Sequence, residues 1–205
     1  MAPSERFSQR RIGLTGGIAS GKSSLGHWLA QQGLPVLDAD QFAREALEPG
    51  LNATNTVLQR YGSKVQAEGA ATIDRAALGR IVFQDPAERL WLEQLIHPIV
   101  RDRFDQALTR HAETPAIVLM IPLLFEAGLE SLCSEIWLVD CDESQQLQRL
   151  IARDGLSPAA AQARIAAQWP LSRKRDLADH VISNRGQPGA WQAQAMDLLN
   201  QPQKN

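Results

Sequence analysis

What this chain has little of narrows the possibilities first. Only two cysteines, Cys133 and Cys141, occur in its 205 residues. Neither belongs to a CxxC pair or to a His/Cys cluster of zinc-finger spacing, so a disulfide scaffold and a structural zinc module are excluded, and both read as small core residues. No long apolar run occurs: the longest, Ala116 to Phe125, is interrupted by Pro122 and is too short to cross a bilayer, so it reads as a buried strand. Met1 to Arg11 is polar, with no apolar h-region, and is expected to be no secretory signal. There is no basic excess either: 21 lysines and arginines face 23 aspartates and glutamates, a net charge of −2. That balance argues against a nucleic-acid-binding protein but leaves room for phosphates at one local site. Together these absences point to a cytoplasmic protein without membrane segments. The 44% hydrophobic and 21% charged shares suit one domain, or one domain with insertions, and exclude collagen-like, mucin-like and disordered chains.

Local patterning then predicts the elements. Ile12 to Thr15 is a short apolar run ending in glycines, a strand entering a tight turn. Leu25, Trp28 and Leu29 repeat at helical spacing over Lys22 to Gln32, and Gly33 sits at the left-handed C-cap, with Pro35 beyond. Val36-Leu37 begins a second strand ending in Asp38-Ala39-Asp40. Gln41 to Glu113 reads as mostly helical. Within it, Asp85-Pro86-Ala87-Glu88 predicts a helix start with a capping box, and a break or kink is expected at Pro98. Ala116 to Ile121, Glu135 to Asp140 and His180 to Ile182 complete five strands. Helices are expected at Ser144 to Arg153, after Ser157-Pro158 and over Ala190 to Leu199. The predicted class is α/β: a five-stranded parallel sheet flanked by helices, with one large helical excursion after the second strand.

The sharpest motif is Gly16-Gly17-Ile18-Ala19-Ser20-Gly21-Lys22-Ser23, which fits G-x-x-x-x-G-K-[ST] between a predicted strand and a predicted helix. Glycines let backbone N–H groups face phosphate oxygens, and the helix after Lys22 aims its positive end at the same anion. Lys22 suits the β- and γ-phosphates, and the Ser23 hydroxyl suits Mg²⁺. G-x-G-x-x-G does not occur, which disfavours a dinucleotide fold. Neither do N-K-x-D and D-x-x-G of GTPases nor LSGGQ of transporter ATPases, so a small-molecule kinase is the leading reading. A P-loop nucleotide sensor is the alternative from another class.

Such a kinase needs a carboxylate near the acceptor hydroxyl and the metal. The strand Ala116 to Ile121 ends in Pro122 without one. Asp38 and Asp40 end the second strand, where alternation puts both side chains on one face at the ligand-binding edge. Between Arg149 and Arg175 lie Arg149, Arg153, Arg164, Arg173, Lys174 and Arg175. Arg149 is the candidate lid arginine, since a guanidinium over the transferring phosphoryl completes the set. Arg164, Arg173, Lys174 and Arg175 read as a solvated helical face. His97 within a helical stripe reads as structural on spacing alone, whereas Glu126, a charge just past a strand end, is expected near the ligand cleft.

With these residues in view, the chain resembles the dephospho-CoA kinase family. The resemblance runs through Thr15 to Ser23, Asp38-Ala39-Asp40 with Ala43-Arg44, Ile96-His97-Pro98 and Pro122-Leu123-Leu124-Phe125-Glu126. It continues through Arg149 to Asp154, Arg164-Ile165 with Gln168, and Ala178-Asp179 with Ile182 and Asn184. The P-loop is common to many families; the other segments together are far more specific. The resemblance implies a P-loop kinase that phosphorylates the ribose 3′-hydroxyl of dephospho-CoA with ATP and Mg²⁺, the last step of CoA synthesis. It implies a core at about 10–40, 114–148 and 178–205, a helical acceptor-side domain at about 41–113, and a lid at about 149–177. ATP falls to Gly17, Ile18, Ala19, Ser20, Gly21, Lys22, Ser23 and Ser24, with Arg149 over the phosphates and Asn184 toward the adenine. Asp40 is the expected base, with Asp38 second. Arg44, His97 and Glu126 join Asp38 on the acceptor side. Mg²⁺ falls to Ser23, with Asp38 or Asp40 directly or through water. Ala19 stands where the family often has glycine, and Ser24 where threonine is common.

Overall fold

A computed structural model describes residues 9–67, 71–187 and 189–201. They divide into two compact units. The first comprises the described residues up to Asp38 and those from His111 onward, and it contains the sheet.

Five strands, β1 (Arg10–Gly16), β2 (Val36–Asp38), β3 (Ala116–Met120), β4 (Glu135–Asp140) and β5 (His180–Ser183), form one all-parallel sheet in the order β2-β3-β1-β4-β5. Parallel strands need crossovers that cover both faces, and the strands are accordingly near-continuous apolar runs. Ile12, Leu14, Val118, Trp137 and Val139 share a core with Leu25 and Leu29 of α1 (Lys22–Gln31) and Trp191 and Ala195 of α9 (Trp191–Leu199). Gly26 lets α1 approach the sheet, because a Cβ there would meet Met120 Sδ at 2.8 Å. Trp28 and Trp191 close the core edge-to-face at 5.8 Å. Both cysteines are free and buried, and burial pushes the Cys133 thiol up to about 12. After β4 come α6 (Glu143–Asp154), α7 (Pro158–Ala166) and α8 (Leu171–Leu177). Ser157 caps α7, accepting from the Ala160 N–H, and Pro158 holds the first helical position, as its sequence predicts.

The second unit, Ala39–Arg110, is built of α2 (Ala39–Ala46), α3 (Asn52–Tyr61), α4 (Arg75–Gln84) and α5 (Pro86–Arg110). Val57, Val65 and Leu78 form its buried centre, under Leu92, Leu95 and Trp91 of α5.

Three local expectations are corrected. The second strand stops at Asp38, and Asp40 lies in the first turn of α2, so alternation along a strand cannot put Asp38 and Asp40 on one face. Ala39, Gln41, Ala43, Arg44, Glu45 and Ala46 are good helix formers behind an aspartate, and a carboxylate in the first turn complements the helix dipole. Secondly, of the break or kink expected at Pro98 the break does not occur: α5 stays helical across it for its 25 residues. The missing N–H loses one bond, while Ile96, Val100 and Phe104 keep the helix packed on either side. Thirdly, the capping box at Asp85 is half made. Asp85 accepts the Ala87 N–H at 2.8 Å, but its own N–H goes to Ile81 and the Glu88 carboxylate turns to Arg60 and Tyr61. A charged bidentate partner outcompetes one backbone N–H.

Candidate active site

The loop after β1 has the shape its glycines predict. A Cβ on Gly16 would meet Ser20 Oγ at 2.5 Å and one on Gly17 would meet Gln146 Nε2 at 2.3 Å. Gly21 has φ +104°, and a Cβ there would lie 2.2 Å from Asn184 Nδ2. Ala19 also takes the left-handed conformation, at φ +58°, which costs about 1–2 kcal/mol for a residue with a Cβ. Such a backbone persists only where its surroundings over-determine it.

Three side-chain amides supply that restraint. Gln168 Oε1 accepts the Ile18 N–H at 2.8 Å, Gln146 Nε2 donates to the Ile18 carbonyl at 2.8 Å, and Asn184 Nδ2 donates to the Ser20 carbonyl at 2.7 Å. Within the loop the Ser20 N–H donates to the Gly17 carbonyl at 3.1 Å. Thr15 Oγ1 ties the end of β1 to the Pro122 carbonyl at 3.1 Å. Lys22 and Ser23 then open α1, with Ser23 exposed. A cleft of about 510 Å³ lies beside the loop, lined among others by Gly17, Gln146, Gln168, Trp169, Cys141 and Arg175.

The arginine-rich segment resolves into distinct jobs. Arg149 Nη2 donates to the Asn184 carbonyl at 3.0 Å, while its Nη1 is buried without a hydrogen-bond partner among the described residues. Arg149 therefore sits one residue contact from the phosphate loop with a charged donor to spare. Arg153 and Arg164 both pair with Asp154, at 2.7 and 3.0 Å. Arg175 and Arg185 pair with buried Asp140, at 3.1 and 2.7 Å. Arg173 stacks on the Trp169 ring. Lys174 is no part of a solvated face. Its side chain is fully buried, with Nζ 2.7 Å from Glu126 Oε1 and 3.4 Å from the Pro122 carbonyl. The apolar positions of α8 are few, so its sequence carries no stripe that would have marked Lys174 as inward.

Glu126 accepts the Trp169 N–H at 3.0 Å as well, and its Oε2 is buried without a partner among the described residues. The pair with Lys174 supplies the compensation that a buried carboxylate requires.

Arg44 and His97 belong to the helical unit and are exposed. They lie on α2 and α5, helices joined by the Phe42–Phe104 ring contact at 5.1 Å and the Arg103–Glu45 ion pair. The Arg44 carbonyl accepts from Arg75 Nη2 at 3.0 Å. Asp38 ends β2 in the sheet unit, and Asp40 starts α2.

For a metal, the chain offers hard oxygen donors, the Ser23 hydroxyl and aspartates, and among the described residues no group of three His, Cys, Asp or Glu side chains is arranged as a cage. That donor set fits a cation carried largely by phosphates and water, which is how Mg²⁺ is usually bound.

Gln146 and Gln168 are the contacts that motif reasoning passes over. Gln146 lies four residues before Leu150 on the buried face of α6 and is itself buried, so a polar residue on an apolar stripe was its signal. Gln168 has no periodic signal and stands out only within the family pattern.

Known proteins share this sequence and fold. The profile of the dephospho-CoA kinase family matches residues 10–189. A dephospho-CoA kinase of Synechococcus sp. (strain CC9605) is 82% identical over 199 residues, covering 97% of this chain and 96% of that one. Among solved structures, a Thermus thermophilus protein has a TM-score of 0.80 at 37% identity, covering 93% of this chain and 96% of its own. The dephospho-CoA kinase from Campylobacter jejuni has a TM-score of 0.69 at 27% identity, covering 92% and 94%.

Proposed function

This chain belongs to the dephospho-CoA kinase family, and from that premise we propose that it transfers the γ-phosphoryl group of ATP to the ribose 3′-hydroxyl of dephospho-CoA, yielding CoA and ADP. It is thus a phosphotransferase acting on an alcohol, in the final step of CoA synthesis. The observation that carries the reading is the phosphate loop itself, a strand-to-helix glycine turn braced by three side-chain amides within a chain matched to the family from residue 10 to 189.

In this reading the loop from Gly17 to Ser24 holds the ATP phosphates through N–H groups other than those of Ile18 and Ser20, which Gln168 and the Gly17 carbonyl take. Lys22 neutralises charge at the β- and γ-oxygens. Arg149, with its spare Nη1, reaches the transferring phosphoryl. Asn184 serves the ATP site by holding Ser20. Asp40 takes the proton of the acceptor 3′-hydroxyl as that oxygen attacks phosphorus, and the bond to the ADP oxygen breaks in line. Asp38, Arg44, His97 and Glu126 hold the acceptor; for all four the family pattern is the support. Ser23, with Asp38 or Asp40 directly or through water, would hold Mg²⁺, whose charge offsets that of the phosphates. The segment at about 149–177 serves as the cover that keeps water from the phosphoryl group. No described helix is long and apolar enough to cross a membrane. Two free buried thiols and use of ATP fit a cytoplasmic enzyme.

Purified protein with Mg-ATP is expected to convert dephospho-CoA to CoA, followed by mass spectrometry of the product and coupled ADP release. AMP and adenosine should be turned over with kcat/KM lower by at least about a hundredfold, since the pantetheine-bearing half adds binding energy they lack. Equal turnover of AMP would instead assign a general nucleotide kinase.

A further inference from the structure

We propose that Gln168 is a positioning residue for phosphoryl transfer, holding the phosphate loop in its donor geometry from the linker between α7 and α8. The proposal rests on the ATP-dependent reading above.

The argument follows the peptides of the loop one at a time. In a trans peptide the carbonyl and the N–H point in opposite directions, and no described peptide here is cis. The peptide joining Gly17 and Ile18 is held at both ends: its carbonyl takes the Ser20 N–H and its N–H donates to Gln168 Oε1. The next peptide has its Ile18 carbonyl held by Gln146, which aims the Ala19 N–H the opposite way. The peptide joining Ser20 and Gly21 has its carbonyl held by Asn184, which aims the Gly21 N–H away from that contact. The Gln146 and Asn184 clasps thus turn donors toward the anion, whereas Gln168 takes the Ile18 N–H and so turns the Gly17 carbonyl the other way, onto the Ser20 N–H that closes the loop. Ala19, left-handed without being glycine, is the residue these clasps must restrain.

The three clasps differ in origin. Gln146 stands on α6 and Asn184 directly after β5, both within the body of the sheet unit. Gln168 stands in the short linker between two helices, and the linker is fixed by its next residue. The Trp169 N–H donates to Glu126 Oε1, and that oxygen is 2.7 Å from Lys174 Nζ, whose side chain is wholly excluded from solvent. A continuous polar chain therefore runs from Glu126 through the Trp169–Gln168 backbone to the Ile18 N–H. Without the Gln168 oxygen, the peptide joining Gly17 and Ile18 keeps only the Ser20 bond at its Gly17 carbonyl, so that peptide and the Ser20 contact loosen together.

Gln168→Leu removes the acceptor at similar size; Gln168→Glu keeps an acceptor oxygen but adds charge beside the phosphates. For Gln168→Leu the expected result is a fall in kcat of about tenfold, the scale of one lost hydrogen bond at the reacting end, with KM for dephospho-CoA changed by less than about twofold. The Ile18 amide, followed by ¹⁵N NMR in the ATP-free enzyme, should exchange with solvent at least about tenfold faster. Gln168→Glu should restore slow Ile18 exchange and bring kcat to within about threefold of the parent, while raising KM for ATP in a way that added salt relieves. Two results overturn the proposal: Gln168→Leu with parental kcat and Ile18 exchange, or Gln168→Glu as slow as Gln168→Leu. Ile18 exchange involves no acceptor substrate. Failure of the parent enzyme to phosphorylate dephospho-CoA, with Ile18 still released in Gln168→Leu, would therefore sink the substrate reading and leave the loop clasp standing.

Discussion

Replacing Asp40 by asparagine keeps size and removes the proton acceptor. If Asp40 is the base, kcat should fall by roughly 10²–10⁴-fold while the affinity for an ATP analogue stays within about threefold. Steady-state kinetics beside calorimetric titration decides it, and an unchanged kcat removes Asp40 from the mechanism. At Gly21 the backbone is the issue. Alanine there would be strained at φ +104° and would drive a methyl into Asn184 Nδ2 at 2.2 Å. The expected outcome for Gly21→Ala is loss of ATP-analogue binding by about tenfold or more with the secondary structure retained by circular dichroism. The glycines were legible in the sequence because few residues tolerate their backbone and the spacing is set by a phosphate. Lys174 was not, because a lysine among arginines on a short helix looks the same whether its end meets water or Glu126.

Between elements, the pairing of α3 with α5 carries a pH dependence. Hydrogen bonds from Arg60 and then Tyr61 hold the Glu88 carboxyl down at about 2, against an ordinary 4.5. A folded-state value below the unfolded one stabilises while the group is ionised in both states, so the contribution is complete above about pH 4.5 and disappears as the pH falls toward 2. Glu88→Gln should therefore have a lower urea midpoint than the parent at pH 7, with the gap closing between about pH 4.5 and 2.5. A gap constant with pH would show that the pair contributes nothing through its charge. The same carboxylate explains why the capping box was misread: local spacing named Glu88 as a cap, and Arg60, 28 residues away, claimed it. At the Asp38–Asp40 junction the error was one of boundary. Two acids two residues apart read as a strand face until the helix formers after them take over.

At the scale of the molecule, the sheet unit rests on a core that α1 and α9 close. Leu29 is fully buried there. Leu29→Ala should cost about 2–5 kcal/mol, lowering the thermal midpoint by roughly 5–15 °C, while kcat at 20 °C stays within about twofold. Differential scanning calorimetry and the kinase assay together test this, and a large kcat loss without a stability loss would mean that this core transmits directly to the site. The net charge of −2 looks different at this scale too. It is a sum over local pairs such as Arg175 and Arg185 on Asp140, so a near-neutral chain still concentrates positive donors at one loop.

By itself, the sequence determined the five parallel strands, the phosphate loop and the family. Strand and helix periodicity, glycine geometry and a phosphate-sized spacing are short-range properties, each written within a dozen residues. Only the tertiary structure decided what braces the loop, because Gln146, Gln168 and Asn184 lie 128 to 164 residues from the carbonyls and N–H they hold. It also decided that Lys174 is buried against Glu126. Such contacts follow from the order β2-β3-β1-β4-β5, which sets strand ends distant in sequence beside one another. A polar side chain's role then depends on which neighbour the fold supplies, and no local pattern encodes that neighbour.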